Sequence, residues 1–148
     1  MDIVKLFTIG FTRKSAETFF SLLKEAGVRR VLDVRLNNTS QLAGFAKRDD
    51  LRFFLKVICG IDYGPKPEFA PTVEMLDDYR KKGRDWAVYR DRFVKLISDR
   101  RIEELLPREE AHLACLLCGE ETPDHCHRRL VAEHLQEKWG NLEIIHLT

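Results

Sequence analysis

The side chains best suited to chemistry are gathered in one run, Cys118-x-Glu120-x-x-Pro123-x-x-Cys126-His127-Arg128. A carboxylate, two thiols, an imidazole and a guanidinium at that spacing offer a proton carrier, a nucleophile and an anion partner. Cys126 would open a helix with His127 and Arg128 beside it, a setting that lowers a thiol pKa and favours a nucleophile. The same thiols, Cys118 and Cys126, could instead be a redox pair, gather a metal with His127, or simply pack as small hydrophobes. Cys115-x-x-Cys118 has the look of a zinc knuckle. Residues three apart on a strand face opposite sides, however, so a closed site using both is not expected.

Earlier segments supply further groups. Asp33 and Glu120 are candidates for general acid or base, with ion pairing as the competing reading. Arg35, leaving an apolar strand, either pairs with Asp33 or Glu120, holds a ligand anion, or does both. Arg128 lies in the first turn of its helix, where a cation opposes the helix dipole and calls for an anionic partner. Gly10 ends the first strand. Ser40, with Asn37 and Asn38, sits in a polar loop and offers hydrogen bonds, although turn formation alone explains such residues. Tyr63 either lines the same pocket or packs. His112, His125, His134 and His146 show no metal-ligand spacing.

The elements that must position these groups follow from periodicity. Ile3–Ile9 and Val28–Val34 read as strands. Between them Ser15 caps a helix whose apolar residues Phe19, Leu22, Leu23 and Ala26 recur at helical spacing, and Gly27 stops it. This is a βαβ unit with parallel strands and a right-handed crossover. A loop over 36–44 precedes a helix capped by Asp49 or Asp50, with Leu51, Phe54, Leu55 and Ile58 inward and Gly60 as its stop. A short strand over Ile61–Tyr63 follows. Thr72–Lys82 and Asp85–Ser98 are helices parted by Gly83, the second with a core stripe of Trp86, Tyr89, Phe93 and Leu96. Ile102–Leu106 adds a short helical piece. Ala111–Leu117 is continuously apolar, as a strand buried on both faces should be. A helix over about His125–Lys138, with Leu130, Val131, His134 and Leu135 inward, and a strand over Leu142–Leu147 complete the chain.

Ligands of open parallel sheets bind beyond the carboxyl ends of the strands. Gly10, Asp33, Arg35, Cys118 and Glu120 share that rim if their strands are neighbours, and Cys126-His127-Arg128 opens the helix after the last of them, at an end suited to anions.

At these residues the chain resembles a known family. Thr8-Ile9-Gly10, Asp33-Val34-Arg35, Ser40, Phe45 and above all the Cys118–Arg128 run are similar to the hallmark segments of the domain-of-unknown-function 488 family, over nearly the whole chain. Asn38, Gln41 and Thr122 stand where the family more often has a proline, an arginine and an acidic residue, so the loop carries less positive charge. The family name implies no reaction.

Composition narrows the classes. A length of 148 residues suits one domain with one core, and 44% hydrophobic with 33% charged residues excludes a disordered tail. With 25 basic and 24 acidic residues the net charge is +1, so nucleic-acid binding has no global electrostatic support. The basic stretches Lys81-Lys82-Gly83-Arg84 and Arg100-Arg101 are interleaved with acids and read as solvated faces. No run of roughly 18 apolar residues suggests a membrane span. The N-terminus lacks the form of a signal peptide, which makes a cytoplasmic location and reduced cysteines the expectation.

The resulting expectation is a three-layer α/β domain, spanning 1–148, around a mainly parallel sheet. Its pocket, for a small anionic or nucleotide-type ligand, would be built by Gly10, Asp33, Arg35, Ser40, Glu120, Cys126, His127 and Arg128, with hydrolysis or group transfer as the chemistry. Arg35 and Arg128 would hold the anion. The alternatives are a non-catalytic module binding nucleic acid or protein, and a thiol- or metal-sensing protein using Cys118 and Cys126. No motif specifies a cofactor.

Overall fold

Seven residues rich in β-branched and aromatic side chains form β1, Val4–Gly10, in the computed structural model, which describes residues 2–37, 44–120 and 123–148. Ser15 then caps α1, Ala16–Ala26, its Oγ accepting the Thr18 N–H at 3.1 Å. Gly27 closes the helix at φ 78°, a left-handed conformation that favours glycine. After α1 come β2 (Arg30–Asp33), α2 (Arg48–Phe54), β3 (Asp62–Pro65), α3 (Val73–Lys81), α4 (Trp86–Arg100), α5 (Arg108–Ala111), β4 (Ala114–Cys118), α6 (His127–Trp139) and β5 (Leu142–Leu147).

The described strands form one all-parallel sheet in the order β3-β2-β4-β1-β5. Strand alternation sends Leu6, Leu32, Leu116 and Cys118 to one face, where they pack with Phe93 of α4 and Leu130, Val131 and Leu135 of α6. Phe7, Ile9, Val31, Cys115 and Leu117 go to the other face, against Phe19, Phe20 and Leu23 of α1 and Leu51 of α2. The result is the expected three-layer α/β fold, and Cys115 and Cys118 do face opposite layers. Neighbouring β1 and β4 send their chains to opposite faces, β1 into α1 and β4 towards α6. Strands that part in this way leave a crevice at their carboxyl ends.

Several boundaries differ from the sequence expectation. The cap of α2 is Lys47, without a side-chain hydrogen bond, while Asp49 and Asp50 lie inside the first turn, where their charges face the positive end of the dipole. The helix continues as a π-helical turn over Leu55–Cys59, and this wider winding leaves Ile58 47% exposed rather than inward. Strand β3 reaches Pro65, which an edge strand tolerates. Ala111 ends a short helix, and the apolar run becomes strand only at Ala114, after Leu113 at φ 61°. Trp86 and Leu96 are half-buried, whereas Tyr89 and Phe93 are core. No described helix is long and apolar enough to cross a membrane.

His134 is buried on α6 and its Nε2 lies 2.8 Å from Glu103 Oε1. That hydrogen bond holds the Glu103 carboxyl below the usual carboxylate range. A depressed folded pKa stabilises above the unfolded value of about 4.3 and loses its contribution as pH falls through the folded value. Glu103→Gln is therefore expected to cost up to about 1 kcal/mol near neutrality and to converge on the parent in acid, a difference that paired urea titrations read directly.

Candidate functional site

Three strand ends meet at one rim. Gly10 of β1 is in register with Cys118 of β4, and Asp33 of β2 with Leu117 of β4. The chain leaving β4 crosses over the end of β1: Thr12 N–H donates to the Gly119 carbonyl at 3.2 Å, and the Thr12 hydroxyl donates to the same oxygen. Gly10 permits this crossing. A Cβ there would lie 1.5 Å from the Glu120 carbonyl oxygen and 3.1 Å from Arg128 Nη1. The structure thus gives Gly10 a packing duty where the sequence suggested ligand contact.

Asp33 and Arg35 form a buried pair. Arg35 Nε donates to Asp33 Oδ1 at 2.8 Å, Nη2 to Oδ2 at 2.7 Å, and the Arg35 backbone N–H to Oδ1 at 3.1 Å. The Tyr63 hydroxyl also donates to Oδ2. Burial, and then that hydrogen bond and the Asp33 charge, push the Tyr63 phenol pKa up, so it stays a donor. Between the pair, Val34 N–H donates to the Leu117 carbonyl at 3.1 Å, and the Val34 carbonyl meets His127 Nε2 at 2.6 Å. The Arg35 guanidinium carbon lies 5.5 Å from the Phe11 ring centroid, and Nη1 is buried with no hydrogen-bond partner among the described residues.

A carbonyl only accepts, so His127 Nε2 carries a proton, and in the neutral ring Nδ1 is then the nitrogen with the lone pair. Nδ1 lies 3.5 Å from Cys118 Sγ, and the ring meets Phe93 edge-on at 5.4 Å. Cys118, Cys126 and His127 are all buried. A hydrogen bond from Cys126 holds the Cys118 thiol below its ordinary pKa, helped by the Arg128 charge and the N–H groups of Glu120 and Gly119. Cys126 is pushed well above its ordinary value, first by burial and then by its bond to Cys118. The direction expected at the helix start is reversed, because Cys126 is 2% exposed and burial outweighs the dipole.

A cavity of about 760 Å³ opens at this rim. Arg35, Glu120, Cys126 and His127 line it, as does Cys118. Asp33, Gly10 and Arg128 do not. Asp33 sits behind Arg35 and orients it. Arg128, fully buried, donates from Nη1 to the Glu120 carbonyl at 2.8 Å, and its charge also reaches His146 and Cys115, the latter in the opposite layer. Among the described residues its Nε and Nη2 have no hydrogen-bond partner, and no carboxylate there pairs with it. Ser40 lies outside the described residues, as do Asn38, Gln41 and Thr122. Reasoning from sequence missed the opposite wall, where Arg80, Arg84, Asp77, Tyr79, Tyr89 and His125 face the strand ends. The only signal was the basic run closing α3, whose neighbouring acids made it read as solvated.

No curated protein and no solved structure matches the chain. Residues 15–135, which carry Asp33, Arg35 and the whole Cys118–Arg128 run, match the model of the family described as Domain of unknown function DUF488, and the chain belongs to that family.

Proposed function

We propose that this cavity binds a small ligand with an anionic group, of nucleotide type, and that the chain acts on it by hydrolysis or group transfer. One observation carries the reading: Arg35, which lines the cavity, is fixed by Asp33 through two of its nitrogens and has a third, Nη1, that is buried without an acceptor among the described residues. A buried cationic donor left unpaired costs free energy that a bound oxyanion repays. Arg80 and Arg84 add positive charge from the facing wall, and the rings of Tyr79 and His125 offer a stacking surface for a planar group. Glu120, exposed at the mouth, is the carboxylate placed to move a proton. The volume is that of an ordinary small-molecule site.

Arg35→Lys tests the anchor with little risk to folding, since lysine keeps the charge beside Asp33 but cannot present a third nitrogen. In calorimetric titration with inorganic phosphate and with a nucleoside monophosphate, the variant should bind about tenfold more weakly or worse. Equal binding by the two proteins, or no binding by the parent, would remove the reading.

A further inference from the structure

The thiol–imidazole cluster lines the cavity, but the anion anchored on Arg35 does not use it. Cys118 and Cys126 each offer a sulfur and His127 a ring nitrogen, and the three atoms all lie within 4.8 Å of one another. Metal–sulfur and metal–nitrogen bonds of about 2.3 and 2.0–2.1 Å place ligands of a tetrahedral ion roughly 3.5 Å apart, which is the separation of Cys118 Sγ and His127 Nδ1. The imidazole is already prepared. Its Nε2–H is held by the Val34 carbonyl at 2.6 Å, which fixes the ring and leaves Nδ1 as the lone-pair nitrogen facing the sulfurs. An outer partner of this kind orients most metal-bound histidines. The three residues also line the cavity, so a fourth position faces open space.

Donor chemistry selects the ion. Two sulfurs and one imidazole are soft to borderline ligands, which disfavour magnesium and calcium and suit zinc. Two thiolates and a neutral imidazole also cancel a double positive charge, so the buried complex carries no net charge of its own. We infer that Cys118, Cys126 and His127 bind one divalent ion of the zinc class, with the fourth position open to the cavity. Binding releases the two thiol protons to solvent and involves no change of oxidation state. This inference does not rest on the anion pocket, since uptake of the metal alone decides it.

The test uses the full chain, reduced and with all thiols accounted for, titrated with cobalt(II) as a visible stand-in for zinc. The expected result is equimolar uptake with an intense tetrahedral ligand-field band and a thiolate-to-metal charge-transfer band, both displaced by zinc. The charge-transfer band should fall in Cys118→Ser and in Cys126→Ser and vanish when both are replaced. It should persist in Cys59→Ser, whose sulfur lies on the other side of the sheet. Circular dichroism of each variant shows whether its fold is retained. Should a cysteine variant fail to fold, the parent spectrum still decides the matter. Reduced parent protein with no thiolate band, or a band that survives the double replacement, would overturn the assignment.

Discussion

Asp33→Ala should destabilise the protein by about 3–5 kcal/mol, the cost of leaving one member of a buried ion pair uncompensated. The side chains of Asp33 and Arg35 are 0% and 4% exposed, so water cannot replace the lost carboxylate. The substitution also strips Tyr63 of its acceptor. Tyr63→Phe removes only that one hydrogen bond and should cost about 1 kcal/mol. Urea unfolding of the two single variants and the double variant measures both losses. Because the double variant has no Tyr63–Asp33 bond left to lose twice, its total should fall short of the sum. A loss below about 1 kcal/mol for Asp33→Ala would mean that Arg35 finds another partner or reaches solvent. The same variant should lose phosphate binding even under conditions where it is folded, because Arg35 is no longer aimed at the cavity.

Gly10→Ala should cost about 3 kcal/mol or more, which for a chain of this size lowers Tm by about 6–12 °C. The reason is steric and backbone-borne: the new methyl would occupy the place of the Glu120 carbonyl, with oxygen and carbon at 1.5 and 2.6 Å. Neither can move aside without breaking the Thr12–Gly119 and Arg128–Glu120 hydrogen bonds. Gly64, with open space around its would-be Cβ, is the matched control, and alanine there should change stability by less than about 1 kcal/mol. Thermal unfolding of the two variants side by side checks the contrast. If Gly10→Ala melts with the parent, the β4–α6 crossing is looser than its hydrogen bonds indicate. If it folds but is destabilised, the cavity mouth, built from Gly119 and Glu120, should be altered with it.

What could be read from residue order was what short-range physics controls. Ser15 and Gly27 bound α1 because a hydroxyl cap and a left-handed glycine act within one turn. The apolar run Ala111–Leu117 announced a doubly buried strand for the same kind of reason, although the strand begins only at Ala114. The opposite facing of Cys115 and Cys118 follows from the two-residue period of a strand. Errors fell where a local signal had a competitor. Two adjacent aspartates offered a cap at 49 or 50, yet the cap is Lys47, ahead of both, and the helix then widens, turning Ile58 outward.

By itself, then, the sequence determined the α/β class, the parallel βαβ start, and the residues able to do chemistry near the strand ends. Tertiary structure decided their division of labour. Periodicity carries no information about which strands are neighbours, and only the assembled order β3-β2-β4-β1-β5, with the helices packed on it, keeps Arg128 out of the cavity and brings Arg80 and Arg84 to face it. Burial is likewise a property of the assembled layers. It is burial that reverses the expected pKa direction of Cys126 and leaves Arg35 Nη1 without a partner among the described residues.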